Sequence, residues 1–228
     1  MTFPRTVVFD LDGTLVDTAP DLIGALNFVL DREGLPPMPL ESARNMIGGG
    51  ARKLIERGLE AEGRAMTVKE VDRMTADFIA YYADNIAVAS RPFEGLEAAL
   101  DDLTGSGCRL AVCTNKLEWL SKRLLDQLGL SPRFAAICGA DTFGVQKPDP
   151  AILKQTVARA GGELSSTIMV GDAGTDIGVA RRTGVPVIGV SFGYTEVPIA
   201  ELKPDLLINH MRDLVAAVGE LNSGRKPS

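Results

Sequence analysis

The spacing of apolar positions changes twice along the chain and divides it into three stretches. Near the N-terminus, Val7, Val8 and Phe9 form a continuous apolar run, partly β-branched, which predicts a buried strand. From about Thr18 to Val88 apolar residues recur at helical intervals. They do so at Leu22, Ile23, Leu26, Val29 and Leu30, then over Arg52–Leu59, then over Val68–Tyr82, where Val71, Met74, Phe78, Ile79 and Tyr82 share one face. Gly34 and the prolines at 36, 37 and 39 separate the first run from the second, and no convincing strand pattern interrupts them. The stretch reads as an all-helical insertion.

From Pro92 onward, short buried runs alternate with helical ones. Strands are predicted over Arg109–Cys113, Ala135–Cys138, Thr167–Val170, Val185–Val190 and Leu206–Ile208. Helices are predicted over Leu96–Leu103, Leu117–Leu128, Pro150–Ala160, Thr175–Thr183 and Met211–Leu221, with Gly105, Gly129 and Gly184 as stops. Strands joined by single helices require right-handed crossovers, so the expected class is α/β, a parallel sheet covered on both faces. Residues 1–16 and 89–228 are expected to form this core and residues 17–88 the insertion. The tail Asn222–Ser228 is polar and reads as frayed.

Composition narrows the partners. The 228 residues are 45% hydrophobic, enough for a real core, and the net charge of −6 argues against a nucleic-acid surface. An anionic substrate must therefore meet a local positive site. The three cysteines, Cys108, Cys113 and Cys138, are odd in number and lack Cys-x-x-Cys spacing, so they read as buried thiols in a reducing compartment. No apolar run is long enough for a membrane span, and a strand beginning near residue 6 leaves no room for a signal peptide; the expected location is cytoplasmic. The single histidine, His210, reads as a surface or helix-start residue, which leaves proton transfer to carboxylates.

The candidate chemistry lies at strand ends, where ligands of such sheets bind. The first strand runs into Asp10-Leu11-Asp12-Gly13-Thr14. If the chain stays extended there, Asp10 and Asp12 leave on one face roughly 6–7 Å apart and can address one object, here expected to be a magnesium ion carrying a phosphoryl group. A plain acidic turn is the alternative. The other strand ends agree with the first reading. Leu110–Cys113 ends in Thr114-Asn115, beside free N–H groups of the next helix. Ile168–Val170 ends in Gly171-Asp172, with Asp176 one helical turn on, and Lys147 precedes Pro148 in the loop between them. Taken singly, Thr114 is more often a cap, Lys147 a solvated loop charge and Asp172 an N-cap; jointly with Asp10 and Asp12 they favour a phosphoryl site.

In order and spacing these segments resemble the motifs of the haloacid dehalogenase-like phosphatase superfamily: Asp10 to Asp17, Val112 to Asn115, Lys147-Pro148, and Gly171 to Asp176. The resemblance implies a Rossmann-like parallel sheet core with an inserted all-helical cap domain. It implies that Asp10 is the nucleophile of an aspartyl-phosphate intermediate and that Asp12 protonates the leaving group and then activates water. It further implies that Thr114, Asn115 and Lys147 hold phosphoryl oxygens and that Mg²⁺ is bound by Asp10, the Asp12 carbonyl and Asp172, with Asp176 supporting the ion or Lys147. Ala173-Gly174-Thr175 departs from the Ser or Asn of many relatives, which bears on supporting hydrogen bonds.

More narrowly, Val190 to Tyr194, Ile47–Leu59 and Thr114-Asn115-Lys116 are similar to bacterial phosphoglycolate phosphatases, so the expected substrate is a small phosphorylated metabolite, 2-phosphoglycolate, and the expected state a monomer or homodimer. Specificity should reside in the insertion. Gly48-Gly49-Gly50 leading to Arg52 and Lys53 could hold a small acid's carboxylate, with Arg44 a weaker candidate, or could be a flexible loop with solvated bases. The rivals are a phosphomutase, a phosphatase for another small ester or pyrophosphate, and a phospho-accepting signalling switch. The second acid, Asp12, argues against a dehalogenase or phosphonatase.

Overall fold

The computed structural model describes residues 6–223. Six strands form a parallel sheet: β1 (Thr6–Phe9), β4 (Arg109–Cys113), β5 (Ala136–Cys138), β6 (Thr167–Gly171), β7 (Val187–Val190) and β8 (Leu206–Ile208), in the spatial order β5-β4-β1-β6-β7-β8. The remaining two strands, β2 (Val16–Asp17) and β3 (Arg91–Pro92), form a small antiparallel ladder. The sequence-based assignment missed that ladder, whose strands are too short to show periodicity.

Side chains alternate across the central strand as a two-residue period demands. Val7 and Phe9 join one apolar core and Val8 the other, so both faces are covered. The helices α5 (Leu96–Gly105) and α9 (Leu214–Ser223) belong to the first face, and α7 (Pro150–Arg159) and α8 (Gly174–Thr183) to the second. Because β4 lies on one side of β1 and β6 on the other, successive connections diverge beside β1 and open a crevice at its C-terminal end. Register brings the candidate residues to one level. Phe9 pairs with both Val112 and Val170, so Asp10 follows in step with Cys113 and Gly171, just before Thr114 and Asp172.

Between β2 and β3 the regular elements are helical: α1 (Ala19–Arg32), α2 (Leu40–Ala43), a 3₁₀ turn over Arg44–Met46, α3 (Ala51–Ala61) and α4 (Val68–Asp84). Burial of the predicted apolar faces drives α4 against α1 and α3. Thr67 and Glu70 close a capping box at the start of α4. Asn27 on α1 bonds the N–H and carbonyl of Met38 at 2.8 and 3.0 Å, which fixes the proline-rich connection. The two chain crossings are tied together by Asp21, whose carboxylate accepts from Ala89 N, Ser90 N and Ser90 Oγ.

Small departures have local causes. The strand expected from Val185 begins at Val187, because Val185 N–H closes the end of α8 on Ala180 and Pro186 has no N–H to give. The last helix starts with a 3₁₀ turn at Met211 and runs through 222 and 223, which were expected to fray; residues 224–228 lie outside the described residues. His210 caps that turn through Nδ1. Cys113 and Cys138 are buried and Cys108 partly so. Among the described residues no helix is long and apolar enough to cross a membrane.

Candidate active site

Beyond the C-terminal end of β1 the chain does not stay extended. Leu11 turns inward and its carbonyl accepts the N–H groups of Leu15 and Val16. The Asp12 carboxylate faces Thr18 Oγ1 at 2.8 Å and Lys116 Nζ at 2.9 Å, and it lines the same cavity as Asp10 although the backbone between them is not extended. The acids that gather are Asp10, Asp172 and Asp176, each with an oxygen within 4.8 Å of the others. All three are buried.

Lys147 is the cation of this cluster. It is buried and its ammonium lies 2.8 Å from Asp10 and 2.6 Å from Asp176. Burial by itself would lower its pKa, but the two carboxylates outweigh that and hold it above the ordinary value. Burial likewise pushes Asp10 up to about 6, with Lys147 pulling it back. Asp172 is raised well above the ordinary range, first by burial and then by Asp10 and Asp176. Three crowded carboxylates facing one ammonium are short of positive charge. Their hard oxygens suit a divalent cation such as Mg²⁺, so the residues present fit that ion.

Each acid is held by groups from elsewhere in the sequence. Thr14 Oγ1 donates to Asp172 Oδ1 at 2.6 Å, and Tyr194 N donates to Asp172 Oδ2 at 2.7 Å. Asp176 Oδ2 accepts Ala173 N at 3.0 Å. That bond needs only backbone at 173, so alanine there leaves it intact, while the Thr175 hydroxyl is buried without a partner. Close approach explains two glycines. A Cβ at Gly13, which has φ +83°, or at Gly193 would collide with the Asp172 side chain.

The phosphate-binding candidates divide. Thr114 is buried at the mouth of β4, and its Oγ1 accepts Lys116 N at 3.2 Å, leaving its O–H to donate. The Asn115 side chain was expected on phosphoryl oxygens, but its Oδ1 accepts Lys147 N at 2.8 Å and its amide donates to the carbonyls of Lys147 at 3.2 Å and Gly48 at 3.4 Å. These bonds tie Asn115 to the backbone of Lys147, while the residue also lines the cavity. A cavity of about 240 Å³ joins Asp10, Asp12, Thr114 and Lys116 to Gly49, Gly50 and Arg52, beneath Phe78 and Tyr82 of α4.

The insertion residues also divide. Arg52 lines the cavity, but its guanidinium is held by Glu56 at 3.1 Å and by Asp72 and is 44% exposed. Lys53 is exposed and outside that lining. Arg44 pairs with Asp17 at 2.6 Å and lies over the Tyr194 ring, whose hydroxyl also donates to Asp17. Sequence reading missed Thr14, Tyr82, Lys116 and Tyr194 as parts of the site. The usable sign for Lys116 was a lysine directly after a strand end, where solvation is scarce; the others depend on tertiary approach.

The geometry is matched by kinship. The family model of haloacid dehalogenase-like hydrolases matches residues 7–190. A phosphoglycolate phosphatase of Caulobacter vibrioides is 48% identical, over 93% of this chain and 90% of its own length. One from Mesorhizobium japonicum is 44% identical over 94% of both chains. A crystal structure from Haemophilus somnus, described as a predicted phosphoglycolate phosphatase, superimposes with a TM-score of 0.87 at 29% identity, covering 95% of this chain and 99% of that one. With an acidic cluster at the sheet's switch point, a helical insertion after the first strand and relatives aligned nearly end to end, the chain belongs to the haloacid dehalogenase-like hydrolases.

Proposed function

We propose that this hydrolase is a Mg²⁺-dependent phosphatase that converts 2-phosphoglycolate to glycolate and phosphate through an aspartyl-phosphate on Asp10. The observation that carries the reading is the buried cluster of Asp10, Lys147, Asp172 and Asp176, whose Asp10 also lines a cavity shared with a separate acid, Asp12. The names of relatives aligned over more than nine-tenths of the chain support the substrate.

In this mechanism an oxygen of Asp10 attacks phosphorus and the ester oxygen departs with a proton from Asp12. Asp12 then takes a proton from the water that attacks the phospho-aspartate, which frees phosphate and restores both acids. Lys147 and the Thr114 hydroxyl face the transferring oxygens, and the Asn115 bracket keeps the lysine in place. Asp10, Asp172 and the Asp12 carbonyl would hold Mg²⁺, with Asp176 beside them, and the ion would neutralise charge between carboxylate and phosphoryl group. The paired Thr18 and Lys116 hold Asp12 away from the acid cluster, where it serves the leaving group.

We assign residues 17–88 to a cap and, of the described residues, 6–16 and 89–223 to the core. The roof of α4 and the Gly49-Gly50 turn then encloses the leaving group, so the nucleophile faces a small cavity and not a surface for a partner protein. That favours hydrolysis of a small ester over a phospho-accepting switch. The test is phosphate release from a panel of small phosphomonoesters with Mg²⁺ or with EDTA. The expected result is Mg²⁺-dependent release, greatest from 2-phosphoglycolate and abolished by Asp10→Asn. Equal release by that variant contradicts the nucleophile, and sugar-phosphate isomerisation without net release favours a mutase.

A further inference from the structure

Lys116 contributes a second buried cation that the phosphoryl chemistry leaves without a substrate contact. Its side chain is 5% exposed and its ammonium donates to both oxygens of Asp12, at 2.9 and 3.0 Å. An ammonium has three N–H donors; two are spent on Asp12, and the polar group beside the remaining one is the Tyr82 hydroxyl. From the opposite wall, the ring of Tyr82 on α4 lies 4.5 Å from Nζ.

Tyr82 supplies the independent observation. The residue is fully buried, its hydroxyl oxygen lies beside the Lys116 ammonium, and its O–H finds no acceptor among the described residues. A buried hydroxyl without a partner is costly and calls for an acceptor absent from the protein. Both side chains line the cavity that contains Asp10 and Thr114.

Resting on the phosphatase reading above, we infer that Lys116 and Tyr82 together form the subsite for a carboxylate on the leaving group, which makes the substrate a 2-phospho carboxylic acid. Reach decides the position of that carboxylate. Lys116 is one hydrogen bond from the acid that serves the ester oxygen, so the group it binds is close to that oxygen along the substrate. In a 2-phospho carboxylic acid only two carbons separate them. One charged and one neutral donor match the two oxygens of a carboxylate. A sugar phosphate offers neutral hydroxyls at that place and gives the lysine no counter-charge. Arg52, the other cation in the cavity wall, is already engaged by Glu56 and Asp72.

The test compares 2-phosphoglycolate with ethyl phosphate, which has the same two carbons and no carboxylate, in the wild type, Tyr82→Phe and Lys116→Met, with Mg²⁺ present. The wild type is expected to prefer 2-phosphoglycolate in kcat/KM, and the preference to fall about tenfold in Y82F and further in K116M, chiefly through KM. Y82F removes one hydroxyl and leaves the ring packing in place, so it reads the subsite even if K116M folds poorly. A preference that survives Y82F undiminished overturns the assignment. Binding of the two esters to Asp10→Asn protein, measured by calorimetry, separates the two levels. Tighter binding of 2-phosphoglycolate that Y82F weakens about tenfold supports the subsite without turnover, and equal affinities for the two esters overturn it. Absence of hydrolysis of any ester by the wild type counts against the phosphatase reading itself.

Discussion

The backbone N–H of Tyr194 lies 2.7 Å from Asp172 Oδ2, joining the loop after β7 to the acid at the end of β6. The opposite oxygen takes the hydroxyl of Thr14 at 2.6 Å, so one carboxylate is oriented by two segments far apart in sequence. Its lack of freedom is what a rigid metal ligand requires.

Disturbing that grip should weaken metal binding before it unfolds the protein. Thr14→Val removes one donor to a buried carboxylate, and the expected loss in Mg²⁺ affinity is about tenfold. Gly193→Ala places a Cβ against the Asp172 side chain and should lose more. Mg²⁺ titration of activity and of thermal stability checks both, and unaltered Mg²⁺ dependence in G193A contradicts the role given to Asp172.

The pH dependence of the metal-free protein follows from Asp10. Burial raises its pKa from 3.8 to about 6, so between these values the folded protein holds a proton that the unfolded chain has released. Its contribution to stability is therefore present below about pH 4 and is lost as pH rises through about 6. In EDTA, Asp10→Asn should exceed the wild type in Tm at pH 7.5, with the difference shrinking toward pH 4. Mg²⁺ should raise the wild-type Tm more at pH 7.5 than at pH 5, since protons compete for the same oxygens. The reverse order contradicts the crowded-acid account.

Asp21 bridges the two crossings into the helical insertion. Removing its carboxylate strands the N–H and hydroxyl of buried Ser90 and takes the acceptor from the Ala89 N–H. Asp21→Ala is expected to cost about 3 kcal/mol, measured by urea unfolding. A cost below about 1 kcal/mol would show that the crossings do not depend on it.

Arg52 carries a prediction of small effect. Its charge is spent on Glu56 and Asp72 at the surface, so Arg52→Ala should change KM for 2-phosphoglycolate by less than about threefold. A tenfold rise would restore the Gly48–Arg52 segment as the anion site.

Legibility followed the range of the interactions. The sheet was readable because Val7–Phe9 and Arg109–Cys113 are continuous apolar runs and Gly129 and Gly184 stop helices where expected. Asp10, Asp172 and Lys147 were readable because each sits at a strand end or in a short motif. The backbone between Asp10 and Asp12 differs from the expected extended course because strand alternation stops after Phe9, at the turn about Leu11. The bonds of Asn115 to Lys147 and Gly48 were not legible because those partners are remote in sequence. The same distance hid Tyr194 against Asp172 and Tyr82 against Lys116. Such pairs leave no periodic trace in one sequence.

The central claim is that Asp10 bonds covalently to phosphorus during turnover. Mixing the enzyme with Mg²⁺ and 2-phosphoglycolate, quenching within the first turnover and reducing acyl phosphates with borohydride tests it by mass spectrometry of the peptide containing residue 10. The account predicts homoserine in place of Asp10 in the quenched wild type and none without substrate. Phosphate release with an unmodified Asp10 at every quench time, or reduction at a different carboxylate, contradicts it.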